Sequence, residues 1–230
     1  MRSFRSLSTR LTVQFALVFA AAMLVVSAAL STFIAGAASP LAAAPLSVRV
    51  MDASGRPVRD AVVTLYPSGG AARPARGGGR FVVSQKDLQF HPFLTIVPVG
   101  ADVSFPNLDP TKHHVYSFSP AKKFELKLFA KDQSRTVRFD KPGVVALGCN
   151  IHDQMSAYIV VTESAWTTRT NAQGVAAFND APSAPGRVTI WHPYLRAPGG
   201  QLQQAVAAAQ RNLNFQVRLR PQQAMSMTDY

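Results

Sequence analysis

The sequence has one cysteine, few acidic residues and a low fraction of charged residues. A single cysteine in 230 residues excludes an intrachain disulfide, so the neighbours of that thiol have to explain its presence. Charged residues make up 16% of the chain and hydrophobic residues 47%, which excludes a wholly disordered protein. The chain has 12 acidic and 24 basic residues, and the resulting net charge of +12 should attract acidic surfaces. The 16 prolines and 14 glycines argue against a helical bundle and favour short strands bounded by turns.

Residues 1–38 are typical of a secretory signal peptide. Three arginines and no acid precede an apolar stretch from Phe15 to Leu30, and Ala35 and Ala37 are placed as a cleavage signal. An uncleaved membrane anchor is the alternative, because the apolar stretch approaches the length of a membrane span. Both interpretations place the remaining chain in the periplasm. Without the three arginines, the mature chain keeps 21 basic and 12 acidic residues, a charge of +9. No second apolar run approaches spanning length, so we expect no membrane span in the mature chain.

Short apolar segments separated by turns fill the rest of the chain, and they predict an all-β antiparallel sandwich. Residues 67–80 read as a basic loop rich in Gly, Pro and Arg, and residues 221–230 as a polar tail. Residues 201–210 are ambiguous, because their Ala and Gln favour helix while their neighbours favour sheet; we predict a strand. The predicted strands are 46–50, 61–65, 93–99, 101–105, 115–118, 124–129, 136–139, 144–147, 158–161, 175–178, 188–191 and 213–219.

The lone thiol lies in a motif that carries chemistry. Cys149, His152 and Met155 follow one another at a spacing of three residues, between two predicted strands. A pair of histidines, His113 and His114, occurs about 36 residues earlier, where a loop enters a strand. Two imidazoles, a thiolate and a weak axial thioether form the ligand set of a blue-copper electron-transfer site. The motif therefore predicts one mononuclear copper site.

Each ligand also has a simpler explanation. Cys149 taken alone fits a small buried hydrophobe, His152 a surface residue and Met155 a core residue. Their combination in an exported chain favours a metal, and the thioether favours copper over a structural zinc site. We expect no enzyme, because four protein ligands leave no open position for a substrate. We also expect no nucleic-acid partner, because the basic residues of the N-terminal third lack aromatic interleaving.

At these residues the sequence resembles the cupredoxins, and the short loop from Cys149 to Met155 looks most like the amicyanin type. Asn107 and Asp109 ahead of His113 are similar to the approach to the first histidine in plastocyanin-like proteins. The resemblance implies a Greek-key β-sandwich with a single copper ion. It implies that the metal ligands are His113, Cys149, His152 and Met155.

One departure from the family pattern concerns the link between the two ligand loops. Cupredoxins commonly have an Asn directly after the first histidine and a hydroxyl residue after the cysteine, whereas this chain has His114 and Asn150. A hydrogen bond between His114 and Asn150 would replace the usual link. The departure also leaves His114 open as the ligand in place of His113. We place Asn107, His114 and Asn150 in the shell around the ligands.

The segments on either side resemble a carboxypeptidase-regulatory, transthyretin-like β-sandwich, with turn motifs after residue 50, at Asn171–Gly174 and near Pro193. This resemblance implies that the cupredoxin domain is inserted between two parts of that second sandwich. The joint arrangement is similar to exported proteins often named methylamine utilization protein. The expected boundaries are 46–66 for the first strands of the second sandwich, 81–163 for the cupredoxin domain and 164–220 for the remaining strands.

Together these features predict an exported type 1 copper protein that carries single electrons between periplasmic redox partners. An acidic redox protein, such as a cytochrome or a dehydrogenase, is the expected partner, because the mature chain is basic. The alternative is a periplasmic copper-binding module for delivery, storage or sensing. A carrier needs a buried and rigid site, whereas a delivery protein needs an open one.

Overall fold

The computed structural model describes residues 43–69, 73–75 and 79–221. The predicted signal peptide and nearly all of the polar tail lie outside these residues. The described chain is all-β, which confirms the predicted fold class, and its one short 3-10 helix is Pro198–Gly200. Within the described residues, no helix has the length and apolar character needed to cross a membrane.

The described strands are β1 (Ala43–Asp52), β2 (Val62–Pro67), β3 (Phe81–Val82), β4 (Ser84–Lys86), β5 (Gln89–His91), β6 (Leu94–Pro98), β7 (Ala101–Pro106), β8 (His113–Ser119), β9 (Lys122–Phe129), β10 (Ser134–Phe139), β11 (Gly143–Cys149), β12 (Ser156–Thr162), β13 (Thr167–Arg169), β14 (Val175–Pro182), β15 (Gly186–Trp191), β16 (Gln201–Val206) and β17 (Asn212–Val217).

Four of the sheets pack as two β-sandwiches. In the site sandwich, a three-stranded sheet (β10-β7-β3) faces a five-stranded sheet (β6-β12-β11-β8-β9), and the β4-β5 hairpin lies beside them. In the flanking sandwich, a three-stranded sheet (β14-β1-β17) faces a four-stranded sheet (β13-β2-β15-β16). The first cluster of buried residues spans positions 83–161, and the second draws on positions 46–65 and 165–217.

Strand alternation explains how the two sandwiches share a boundary. Successive side chains of a strand point to opposite faces of the sheet. On β12, Ile159 contributes to the core of the site sandwich, whereas Val160 packs against Val62 of β2 in a small third cluster. Val62 in turn alternates with Val63, which belongs to the flanking core. The five-stranded and four-stranded sheets therefore pack face to face, which gives the described part of the chain four β-layers.

The ambiguous segment 201–210 forms strand β16 over its first six residues, which confirms the predicted strand. It pairs along its whole length with β15, from Gln201 opposite Trp191 to Val206 opposite Gly186. Tertiary pairing thus overrides the local helix preference of its Ala and Gln residues. Strands β3, β4, β5 and β13 were not predicted, because two or three residues are too short to show alternation.

Candidate metal centre

The candidate centre is assembled by the pairing of two strands that are distant in sequence. Cys149, the last residue of β11, pairs directly with Val115 of β8, so their side chains share a face of the sheet. His113 lies two residues before Val115 and therefore points to the same face. His152 lies in the turn between β11 and β12, three residues after the cysteine.

The donor atoms of these three residues converge. One ligand atom each of His113, Cys149 and His152 lies within 4.8 Å of the others. The Sγ atom of Cys149 is 3.8 Å from Nδ1 of His113 and 3.6 Å from Nδ1 of His152. Among the described residues, this is the one group of three or more His, Cys, Asp or Glu side chains that is placed to hold a metal ion. Soft and imidazole donors in this combination suit copper.

The centre is buried except at one histidine. His113 is fully buried, and Cys149 and Met155 are 3% and 2% exposed. His152 is partly exposed, at the tip of the loop. Its ring lies edge-on to that of His113, with the centroids 5.0 Å apart. Of these four side chains, His152 is therefore the most accessible to solvent.

Asp109 fixes the orientation of His113, a role that the sequence analysis did not assign to it. Its Oδ2 atom lies 2.7 Å from Nε2 of His113, and the carboxylate is 5% exposed. A carboxylate can only accept a hydrogen bond, so Nε2 of His113 carries the proton and donates the hydrogen bond to Asp109. That arrangement leaves Nδ1, the nitrogen that faces Cys149, free to bind a metal. Carboxylate partners of this kind orient metal-binding histidines and raise their basicity.

A tight turn holds the Asp109 carboxylate from the other side. The backbone N–H groups of Asp87 and Leu88, at the turn of the β4-β5 hairpin, donate to its two oxygens at 2.6 and 3.1 Å. Both turn residues have positive φ angles, 54° and 55°, a conformation that L-residues adopt only at a cost. Two charge-assisted hydrogen bonds to a buried carboxylate offset that cost.

Asn107 builds the loop that carries Asp109. Its side chain is fully buried, and Nδ2 donates to the carbonyl oxygens of Thr111 and Phe129 at 2.8 and 3.1 Å. Its Oδ1 accepts from the backbone N–H of Asp109 at 2.9 Å. Every polar atom of the amide group is therefore used to shape the loop. This is the placement expected of a residue that supports the ligands.

His114 points away from the centre. It follows His113 on the strand and so faces the opposite side of the sheet, where Nε2 lies 3.0 Å from Oε1 of Glu125. The structure thus brings His113, not His114, to Cys149. The link to the cysteine loop is a backbone hydrogen bond, from Asn150 N–H to the carbonyl oxygen of His114 at 3.2 Å, rather than the side-chain bond that we expected.

Met155 closes the ligand loop. Its backbone N–H donates to the carbonyl oxygen of His152 at 3.0 Å, and its side chain lies in the same core cluster as Cys149. β12 begins at the next residue and pairs with β11, with Gly148 opposite Ser156. The seven-residue loop is therefore fixed at both ends by one antiparallel pair.

The electrostatics of the centre favour metal-binding protonation states. Burial raises the pKa of Asp109, but the hydrogen bonds from His113, Leu88 and Asp87 outweigh burial and hold that pKa below its ordinary value. Burial and the neighbouring His113 lower the pKa of His152, and Asp109 opposes them only in part. Asp109 is thus an anion and His152 a neutral imidazole at neutral pH, and a neutral imidazole is the form that binds a metal.

No protein-family model matches the chain, and no curated protein matches its sequence. Among solved structures, it is similar to a copper-containing nitrite reductase from Thermus scotoductus, with 24% identity over 43% of this chain and 27% of that one (TM-score 0.35). A reduced Cu(I) form of an amicyanin variant is 22% identical over 44% of this chain and 98% of that one (TM-score 0.34). A purple cupredoxin from Nitrosopumilus maritimus is 18% identical over 36% and 99% (TM-score 0.33). The chain spans about a quarter of the nitrite reductase. At TM-scores this low, the likeness assigns no role to any residue of this chain.

Proposed function

We propose that this protein is an exported type 1 copper protein of the cupredoxin class that carries single electrons between periplasmic partners. One observation carries the proposal. The only thiol of the chain lies within 4 Å of two imidazole nitrogens, and a buried carboxylate holds one of these imidazoles in the metal-binding tautomer. A thiolate, two imidazoles and a weak axial thioether, here the expected role of Met155, are the donors of an electron-transfer copper site.

In this proposal, Cys149, His113, His152 and Met155 hold the ion, and copper supplies a one-electron couple when bound. The residues supply rigidity. His113 and Cys149 lie on paired strands, Asp109 fixes the imidazole of His113, and the loop to Met155 is closed at both ends. Ligands that are held before the metal arrives need little rearrangement when the charge of the ion changes.

We assign electron entry and exit to the partly exposed His152. Ile151 precedes it in the loop and is 46% exposed, so an apolar contact surface lies beside the imidazole. The basic mature chain would attract an acidic redox protein, such as a cytochrome or a dehydrogenase, and salt would weaken that encounter. The role is that of a carrier rather than an enzyme.

We further propose that residues 81–163 form a cupredoxin domain inserted into a transthyretin-like sandwich built from 46–66 and 164–220. Two separate clusters of buried residues, one within 83–161 and one on either side of it in sequence, support this division. The signal peptide at 1–38 and the periplasmic location belong to the same proposal.

The test is the visible absorption spectrum of the purified protein with Cu(II). We expect an intense thiolate-to-copper band with one copper ion per chain, because Cys149 would bind as the thiolate. Cys149→Ser should abolish the band, whereas His192→Ala, a histidine of the flanking sandwich, should keep it. A Cys149→Ser protein that keeps the colour would contradict the assignment.

A second measurement separates a carrier from a delivery protein. Stopped-flow reduction by an acidic redox protein should be fast and strongly slowed by salt, while a Cu(I) chelator removes copper slowly. The partly exposed His152 is the feature that favours delivery, because it gives a copper acceptor access to one ligand. Slow, salt-insensitive reduction combined with rapid copper loss would establish delivery instead.

A further inference from the structure

A second candidate site shares no lining residue with the metal centre. A cleft of about 1020 Å³ opens where the turn after β1, the start of β6 and the segments that follow β15 and β17 meet. Five arginines, two aspartates and the rings of Phe93, His192 and Tyr194 line it. The proposed copper function uses none of these residues.

Backbone pairing places two of the arginines opposite each other. Leu195 and Leu219 form an antiparallel bridge, and the N–H of Arg196 donates to the carbonyl oxygen of Arg218 at 2.8 Å. Residues directly opposite each other on paired segments share a face. The two leucines therefore pack on the flanking core, whereas Arg196 and Arg218 lie opposite each other on the exposed face.

A third arginine extends this positive face. Arg220 lies two residues beyond Arg218, and its backbone N–H donates to the carbonyl oxygen of Tyr194 at 2.7 Å. None of the three arginines forms an ion pair with a carboxylate in the described part of the chain. Like charges directly opposite each other on paired segments are destabilising, and an anion bound between them would offset that repulsion.

The other two arginines of the cleft each lie beside a carboxylate. Nε of Arg56 lies 2.9 Å from Oδ2 of Asp52, and Nε of Arg59 lies 3.2 Å from Oδ2 of Asp60. The uncompensated charge of the cleft therefore belongs to the three arginines after β15 and β17.

The aromatic rings of the lining are held in place. Phe93 is 38% exposed and contacts Tyr158 edge-on at a centroid distance of 5.5 Å. The ring of His192 accepts a hydrogen bond from the backbone N–H of Tyr194 at 3.3 Å, and the two rings lie 5.6 Å apart. The cleft thus combines a cationic side with a fixed aromatic side.

We propose that this cleft binds a small organic polyanion, a molecule with an apolar or aromatic body that carries two or more carboxylate or phosphate groups. The planar guanidinium of arginine binds carboxylate and phosphate through two parallel hydrogen bonds, which suits both groups. The volume is at the upper end of the range for small-molecule sites, which is more than a single inorganic anion needs. The ligand neutralises Arg196, Arg218 and Arg220 and stacks on the aromatic side.

The test uses pyrene tetrasulfonate, a fluorescent aromatic polyanion, with the full chain and fluorescence anisotropy as the readout. The triple variant Arg196→Gln, Arg218→Gln, Arg220→Gln should bind the probe about tenfold more weakly or worse, from the summed loss of three partly exposed ion pairs. The matched control replaces Lys123, Lys127 and Lys131 of the site sandwich by Gln. It loses the same charge and should bind the probe like the unaltered protein.

Two further arms keep the proposal falsifiable. Arg218→Glu alone should weaken probe binding more than Arg218→Gln, because it places an anion inside the cleft. Competition by citrate would identify carboxylate as the preferred group, and competition by pyrophosphate would identify phosphate. Equal loss of binding in the arginine and lysine triple variants would overturn the proposal, because it would show attraction by overall charge alone. These outcomes do not depend on copper and leave the proposed electron carrier untouched.

Discussion

In the site sandwich, two buried polar side chains support one imidazole, whereas in the flanking sandwich a buried hydroxyl secures the ends of two segments. Asn107 and Asp109 are buried around His113 and use their hydrogen bonds to orient it. Thr170 of the flanking sandwich is just as buried, yet its hydroxyl donates to the carbonyl oxygen of Val58 at 2.6 Å and accepts from the N–H of Ala61 at 2.9 Å. Each of these three side chains has its polar groups paired, as buried polar groups require.

The difference between the two regions shows how buried polar side chains can support a functional site rather than the fold alone. Both cores consist of alternating apolar residues and are built in the same way. Only in the site sandwich do the hydrogen bonds of the buried polar groups end on a side chain that is itself able to bind a metal. A buried polar network therefore indicates function when it ends on a reactive group, and architecture when it ends on the backbone.

The largest expected effect comes from removing one ligand of the candidate metal centre. His113→Ala should abolish the coloured copper site, because it removes a ligand and leaves Asp109 without its partner. His114→Ala should keep the site, because that ring faces Glu125 on the opposite side of the sheet. Absorption spectra and metal analysis of both variants provide the measurement. Loss of copper in the His114 variant alone would show that the ligand register is wrong by one residue.

The second effect compares the two cores. Phe105→Ala in the site sandwich and Phe178→Ala in the flanking sandwich should each cost about 3–5 kcal/mol of unfolding free energy, because both rings are buried. Only the Phe105 variant should also lose copper more readily. Denaturant unfolding and the rate of copper loss to a chelator measure the two effects. Equal copper loss in both variants would mean that the flanking sandwich supports the centre directly.

The third effect isolates the carboxylate that orients His113. Asp109→Asn should lower copper affinity by about 10–100-fold, because the imidazole loses the anionic partner that orients it. The matched control is Asp87→Asn, which removes the same charge from an exposed side chain of the neighbouring turn and should leave affinity unchanged. Copper titration in competition with a chelator gives both values. Equal affinities in the two variants would remove Asp109 from the centre.

The smallest effect concerns the flanking sandwich. Thr170→Val should cost about 1–3 kcal/mol of unfolding free energy, because the N–H of Ala61 and the carbonyl of Val58 lose a buried partner. Thr168→Val, a partly buried threonine of β13 nearby, serves as the control with little change. The copper spectrum should be the same in both variants. A changed spectrum in Thr170→Val would mean that strand ends of the flanking sandwich affect the centre.

Much of the fold follows from local patterns in the sequence. Alternation from Leu46 to Val50 predicts β1, because one face of that strand is buried and the other is not. The motif from Cys149 to Met155 predicts a ligand loop, since three donors lie within seven residues. By contrast, the β4-β5 hairpin was missed, because its strands have three residues each.

The remaining parts of the two sites required the tertiary structure. His113 and His114 are equivalent as neighbours in sequence, and only the pairing of β8 with β11 decides which of them faces Cys149. Asp109 became a partner of His113 because the loop shaped by Asn107 turns its carboxylate inward. Arg196 and Arg218 are 22 positions apart in sequence and meet only through the bridge beside them.

The sequence by itself determined the all-β class, most strands and the kinds of donor atom at the centre. These properties depend on side-chain type and short-range periodicity, which the chain carries within a few residues. The tertiary structure alone decided which histidine meets the thiol, which carboxylate orients it and which arginines share a cleft. The first and the last of these properties depend on the register between paired segments, where a shift of one residue turns a side chain to the opposite face, and the second depends on the shape of the loop that carries Asp109.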